Sequence, residues 1–473
     1  MKNTHTFSLP TIFVIFGITG DLVKKKILKS LYDLYLKQLL PEKFLIYGFS
    51  RRRYDDEQLR AYLLEIMNRR IFKEPKQYNA FLSHIHYVQG NFLTISAYED
   101  LALKLGRVDK DWTFCSNKLF YLAVPPVVYP QLINNLHLSG LTKPCSPEEG
   151  WTRVILEKPF GTDFESAKAL DMQLAKLFKE EQIYRVDHYL AKETVRNILA
   201  FRFGNSFLQP AWNKHYIHSI SVRLYEKDLV GSRGGFYDKV GALRDVGQNH
   251  MLQLLAFFLM DQPKTFTPEE IKKERSKALS SLKLFSAQEV KDNAFRGQYD
   301  GYTNEDGVAA HSTIETYFKI RAYSTCPDFV GVPLILESGK GMHQNRTEVV
   351  VEFKRPSSNL FDVDKQQNNT LHYLIKPHEK ISLDFLAKRP GFSYMLDSHE
   401  LSFDYHERHR HEEFVDDYEA LLYDIIRGDQ TLFVSTGEIL NQWKFIEPFV
   451  ETWNKMGIKD LQKYLPGNFE GIE

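Results

Sequence analysis

Phe13-Val14-Ile15-Phe16-Gly17-Ile18-Thr19-Gly20-Asp21-Leu22 passes from a short apolar run, through two glycines, into a charged stretch that suits a helix. A continuous apolar run of that length, rich in branched and aromatic side chains, reads as a strand buried on both faces. The glycines permit a tight turn, and the free N–H groups of a helix start favour an anion placed there. The spacing is Gly-x-x-Gly rather than Gly-x-Gly-x-x-Gly. On spacing alone, a purely structural turn and a pyrophosphate cradle stand level.

Residues 44–47, 119–123 and 154–156 repeat the apolar pattern of residues 12–16. Between them residues 57–70 place Leu59, Leu63 and Met67 at helical spacing, and residues 164–178 do the same with Ala167, Leu170, Leu174 and Leu177. Strands alternating with amphipathic helices predict a parallel sheet, with the glycine turn at its first strand. The proline-bearing residues 141–150 read as an exposed loop.

After about residue 186 the texture changes. Residues 217–225, 313–321 and 347–354 alternate with period two. Residues 246–260 form an apolar helix candidate with Asp245 at the N-cap and Gln248 three residues on. Residues 286–311 are polar and read as a long surface excursion, and residues 412–427 as a helix stopped by Gly428. The expected fold is a Rossmann-type α/β nucleotide-binding domain over residues 1–185. A larger α+β domain with a mostly antiparallel sheet follows over residues 186–473, for substrate binding and oligomerisation.

Composition excludes more than it identifies. The 473 residues hold 61 Lys+Arg against 61 Asp+Glu, which argues against bulk attraction to nucleic acid or an anionic membrane. Cys115, Cys145 and Cys326 are scattered, without metal-ligand spacing, and suit a reducing cytoplasm. The N-terminal apolar run is broken by Pro10 and Gly17, so no signal peptide or membrane span is expected.

Three further stretches carry chemistry. The second predicted strand runs into Ser50-Arg51-Arg52-Arg53, and the first acid after it is Asp55. At that strand tip an acid would hold the ribose 2′-hydroxyl of NAD, whereas an arginine accommodates the 2′-phosphate of NADP. Arg185-Val186-Asp187-His188-Tyr189-Leu190-Ala191-Lys192-Glu193 gathers an acid, an imidazole, a phenol and an ammonium within a few residues. Such a mixture suits a site that orients a base and holds an anion. Arg244-Asp245-Val246-Gly247-Gln248-Asn249-His250 surrounds one of 16 histidines with polar neighbours on an otherwise apolar segment.

These stretches resemble the glucose-6-phosphate dehydrogenase family. The 185–193 run is similar to that family's Asp-His-Tyr-Leu-Gly-Lys-Glu, with Ala191 in place of glycine. Residues 244–250 resemble its Arg-Asp-Val-x-Gln-Asn-His, and residues 17–26 its Gly-Ala-Ser-Gly-Asp-Leu-Ala-Lys-Lys-Lys, with Val23 at a usually small position. The resemblance implies oxidation of D-glucose 6-phosphate to 6-phospho-D-glucono-1,5-lactone with hydride transfer to NADP, the first oxidative step of the pentose phosphate pathway. It implies His250 as general base, with Asp187 as the carboxylate that fixes its tautomer and favours the imidazolium. Substrate contacts are implied for Lys158, His188, Tyr189, Lys192, Glu226, Asp245 and Lys340, the first three polar groups of the 188–192 run holding phosphate. Cofactor contacts are implied for Gly17, Thr19, Gly20, Asp21, Leu22, Ser50, Arg51, Ala123, Pro125, Tyr129, Glu157 and Lys158.

Arg52 and Arg53 are expected to belong to a solvated basic turn. No metal is implied. A homodimer or homotetramer is, with no nucleic-acid or membrane partner; the chain ends at Glu473, soon after Trp453 and Tyr464, and no second NADP site is assigned. Two rivals stay open. Glu157-Lys158-Pro159 also suits other two-domain sugar oxidoreductases, and a catalytically silent homologue would share much of the pattern, although it would be expected to lose the base or its carboxylate.

Overall fold

The computed structural model describes residues 9–70, 73–144, 150–356, 360–361, 368–409 and 414–468. Cys145, half of the loop expected at 141–150, and the first residues of the helix expected at 412–427 lie outside the described residues. The chain divides into two compact units. One comprises the described residues up to Gly161, then Glu165–Ala191 and Val415–Ser435; the other comprises Thr162–Phe164, Lys192–Phe414 and the residues from Thr436 onward. The single boundary expected after residue 185 does not include the return of residues 415–435.

In the first unit six strands are all parallel: β1 (Thr11–Phe16), β2 (Phe44–Ser50), β3 (Ile85–Gln89), β4 (Asn117–Leu122), β5 (Thr152–Glu157) and β6 (Ile183–Val186). Their order is β3-β2-β1-β4-β5-β6. This is the doubly wound order, in which the crevice beyond the strand ends at the point of reversal receives the ligand. Every residue of β1 and β4 is buried, which explains the unbroken apolar reading of residues 12–16 and 119–122. Helix Asp56–Arg70 buries the three residues expected of it, Leu59, Leu63 and Met67. Helix Asp417–Arg427 stops at Gly428, whose φ of 83° is the left-handed conformation that glycine adopts freely. That helix adds Leu421, Leu422 and Ile425 to the same apolar core as Leu28, Leu31 and Val186.

The second unit holds a nine-stranded sheet in the order β14-β13-β12-β11-β7-β10-β9-β8-β15. Its strands are β7 (Ile217–Tyr225), β8 (Ala294–Tyr299), β9 (Tyr317–Ala322), β10 (Leu334–Gly339), β11 (Arg346–Phe353), β12 (Thr370–Lys376), β13 (Lys380–Lys388), β14 (Leu396–Asp404) and β15 (Leu461–Tyr464). Pairing is antiparallel except for β10 with β7 and β15 with β8. Residues 286–311 correct the expected surface excursion. Ser286 and Glu289 form a capping box on helix Ala287–Asn293, and β8 follows inside the sheet. The polar side chains of β8 are buried because they are bonded: Gln298 Nε2 donates to Ser312 O at 3.1 Å and to Ile314 O at 2.9 Å. Among the described residues no helix is long and apolar enough to cross a membrane.

Candidate active site

The glycine turn of the first unit is built by close approach. Gly17 N donates to Phe49 O at 2.8 Å and Gly20 N to Gly17 O at 2.8 Å. Gly17 has φ of 84°, and a Cβ there would collide with Ala123 O, just past the end of β4. Only glycine permits this close turn, and the helix start behind it is the kind of terminus that favours a pyrophosphate. The helix over residues 21–36 starts directly behind it, with a π-helical turn at Val23–Ile27. Asp21 ion-pairs with Lys24 at 3.2 Å.

Beside the turn, Ser50 closes β2. Its hydroxyl shares a hydrogen bond with Tyr87 OH at 2.8 Å and lies 3.5 Å from Thr19 Oγ1. Arg51 is exposed, with its guanidinium 6.0 Å above the Phe92 ring. No carboxylate pairs with it among the described residues, and no acid occupies the strand tip. Glycine cradle, hydroxyls and cation together fit a dinucleotide.

The ends of β4 and β5 are tied together by tyrosines. Tyr129 OH lies 3.3 Å from Leu122 O and 3.2 Å from Glu157 O, and accepts from Glu157 N at 3.3 Å. Tyr121 OH donates to Glu157 Oε1 at 2.6 Å, and Tyr418 also bonds that carboxylate. Burial pushes the Glu157 carboxyl up to about 7, opposed by the Tyr121 hydrogen bond and the Lys158 charge. Pro125 and Lys158 follow these same two strand ends. Tyr418 carries no motif and sits far downstream in sequence, so residue patterns alone do not disclose it.

Asp187 directly follows β6 and is 1 % exposed. Its carboxylate accepts from Tyr189 N at 3.1 Å, which winds His188–Ala191 into a short 3₁₀ turn. The His188 ring meets Tyr189 edge-on at 5.0 Å and stacks against Tyr418 at 6.2 Å. Lys192 lies in the second unit as N-cap of helix Glu193–Gly204.

The other expected residues belong to the second unit. Residues Leu243–Met251 form a π-helix that continues as the α-helix Leu252–Leu259. Such wide turns are rare and recur at functional sites. The N-cap is Ala242, so Asp245 is not the cap expected from the sequence but lies within the first turn. Asn249 stabilises the widened turn: its Nδ2 donates to Arg244 O at 3.2 Å and Asp245 O at 3.0 Å, while its Oδ1 accepts from His250 N at 2.7 Å. His250 is thereby fixed at the buried end of the turn, 1 % exposed. Gly247 leaves room for packing, since a Cβ would sit 2.8 Å from Leu243 Cδ1 and 2.9 Å from Phe318 Cζ.

Glu226, directly after β7, forms a short ion pair with Lys340, which directly follows β10; Asp245 approaches the same ammonium at 4.0 Å. The structure therefore brings Glu226, Asp245 and Lys340 together. Two carboxylates around one ammonium offer both acceptors and donors to a polyhydroxylated ligand. Tyr464 OH fixes the Lys340 backbone by donating to its carbonyl at 2.7 Å. Neither Asn249 nor Tyr464 is identified from sequence as supporting the site. Asn249 stands in view beside His250, but its bonding depends on the π-turn.

Comparisons with known proteins agree over nearly the full length. Residues 14–197 match the family model described as "Glucose-6-phosphate dehydrogenase, NAD binding domain", and residues 199–471 match "Glucose-6-phosphate dehydrogenase, C-terminal domain". The glucose-6-phosphate 1-dehydrogenase of Chlamydia muridarum is 35% identical over 468 residues, covering 94% of this chain and 91% of its own length. That of Dictyostelium discoideum is 34% identical over 452 residues, covering 94% and 89%. A solved glucose-6-phosphate dehydrogenase in complex with its substrate glucose-6-phosphate superposes with a TM-score of 0.90 at 33% identity, covering 98% of this chain and 96% of that one.

Proposed function

The chain belongs to the glucose-6-phosphate dehydrogenase family, and from that premise we propose that it oxidises D-glucose 6-phosphate at C1 to 6-phospho-D-glucono-1,5-lactone, with NADP as hydride acceptor. The observation that carries the reading is the family match across both units with the 185–193 and 244–250 motifs present. His250 takes the proton of the C1 hydroxyl. An imidazole has an ordinary pKa near ~6.5 and can both accept and release that proton at working pH. Asp187 serves as its carboxylate partner by the family's pattern. Glu226, Asp245 and Lys340 bond sugar hydroxyls, and His188, Tyr189 and Lys192 hold the phosphate. Bound NADP supplies the nicotinamide that accepts hydride. Arg51 and Ser50, with no acid beside them, favour the 2′-phosphorylated cofactor over NAD.

Residues 1–185 form the cofactor domain in this reading, and residues 186–473 the substrate and oligomerisation domain. The protein acts in the cytoplasm as a homodimer or homotetramer, without a metal, nucleic-acid or membrane partner, at the first oxidative step of the pentose phosphate pathway. Purified protein should reduce NADP only when glucose 6-phosphate is supplied, followed by absorbance of the reduced nicotinamide. His250→Asn should nearly abolish kcat while calorimetry still detects glucose 6-phosphate binding. Full turnover by a clean His250→Asn preparation would remove the assignment. Absence of turnover in the unaltered protein with either cofactor would favour the silent homologue.

A further inference from the structure

Three consecutive arginines follow Ser50, and the structure treats them differently. All three are exposed. The Arg52 guanidinium lies 5.4 Å above the Tyr62 ring, and its Nη1 donates to Tyr54 OH at 3.3 Å. Its backbone is fixed at both ends: Arg52 N donates to Ser50 Oγ at 3.3 Å, and Tyr87 OH donates to Arg52 O at 2.6 Å. Among the described residues no carboxylate pairs with Arg52, and Arg53 has neither a ring nor a carboxylate partner. An arginine in a merely solvated turn has no need of this support.

Tyr62 connects Arg52 to the glycine turn. Its hydroxyl donates to Thr19 O at 3.3 Å, and Lys24 lies 5.9 Å from the same ring. Arg51 rests on a different ring, that of Phe92. Two cations at one strand tip are thus held on separate aromatic supports while their charge stays uncompensated. Immobilising a long side chain before binding removes an entropic cost from the binding step, and a guanidinium retains several N–H donors while it stacks. A phosphate monoester carries nearly two negative charges at neutral pH, more than one guanidinium neutralises.

We infer that Arg52 is a second specificity-determining cation for the 2′-phosphate of the cofactor, with Tyr62 as its positioning residue. This rests on the proposed preference for NADP and assigns the preference to two arginines rather than one.

The test measures binding of 2′,5′-ADP and of 5′-AMP by calorimetry to the full chain and its variants. Arg52→Ala should weaken 2′,5′-ADP on the order of tenfold or more, the range of a charge-assisted bond, and leave 5′-AMP unchanged. Arg53→Ala should change neither. Tyr62→Leu should weaken 2′,5′-ADP selectively, and Tyr62→Phe, which keeps the ring, should restore it; a purely structural role would lower both ligands together. If the unaltered protein does not distinguish the two ligands, the preference for NADP fails and this inference with it. If it does distinguish them, and Arg51→Ala removes the distinction while Arg52→Ala leaves it intact, the inference alone is overturned. Equal weakening of both ligands in Arg52→Ala overturns it as well.

Discussion

Replacing Asn249 with alanine tests how His250, the proposed general base, is held. The side chain spans the π-turn with three hydrogen bonds, to the carbonyls of Arg244 and Asp245 and from the N–H of His250. Each neutral bond contributes about 0.5–1.5 kcal/mol net, and the site is buried, so the loss of all three should cost about 2–4 kcal/mol of local stability. The turn then has reason to tighten to ordinary α-helical spacing. That would rotate His250, and a displacement of about 1 Å at a reacting group lowers rate about 100-fold. Asn249→Asp keeps an acceptor for the His250 N–H but turns an oxygen toward two carbonyls, and should be no better than alanine. Steady-state NADP reduction gives kcat, and urea unfolding gives stability on the same preparations. If Asn249→Ala keeps kcat within about twofold of the unaltered protein, His250 does not depend on this amide and the reasoning fails.

Gly17→Ala should abolish cofactor binding by calorimetry, because its Cβ would collide with Ala123 O at a φ of 84°; retained affinity would show that the turn relaxes without loss. The Glu157 carboxyl titrates at about 7 in the fold against an ordinary 4.5. Its protonated form is therefore favoured by folding, and the associated stability is present below about pH 4.5 and lost as pH rises through about 7. Relative to the unaltered protein, Glu157→Gln should become progressively more stable across that window, and parallel urea midpoints would contradict it. Lys192→Ala should collapse kcat/KM for glucose 6-phosphate while barely altering the weak rate on free glucose, since the proposed phosphate contact would serve to position C1; a parallel fall on both sugars would deny Lys192 the phosphate.

Local apolar pattern made the first sheet legible. β1, β4 and β5 lie inside the sheet, so residues 12–16, 119–122 and 154–156 are all apolar and buried, and Leu59, Leu63 and Met67 face the core as their spacing requires. β8 escaped because Arg296 and Gln298 are buried by hydrogen bonding to distant backbone, which hydropathy does not register. Asp245 looked like a cap because a residue pattern does not reveal a π-turn beginning two residues earlier. Motif residues were visible in the sequence, while Tyr62, Tyr418 and Tyr464 were not. Each acts through a contact between segments far apart in the chain, and a tyrosine in a helix or strand looks like core until its hydroxyl is located.

The return of Val415–Ser435 sets an order on biosynthesis. Leu421, Leu422, Ile425 and Phe433 complete a core begun by Leu28, Leu31, Tyr184 and Val186. A ribosome elongating at about 5–20 residues per second emits the first group well after the second. For that interval the earlier segment stands with an uncovered apolar face, a natural client for holdase chaperones. An amino-terminal fragment ending near residue 190 would keep that face permanently, so it should associate or precipitate unless residues 415–435 are supplied in trans.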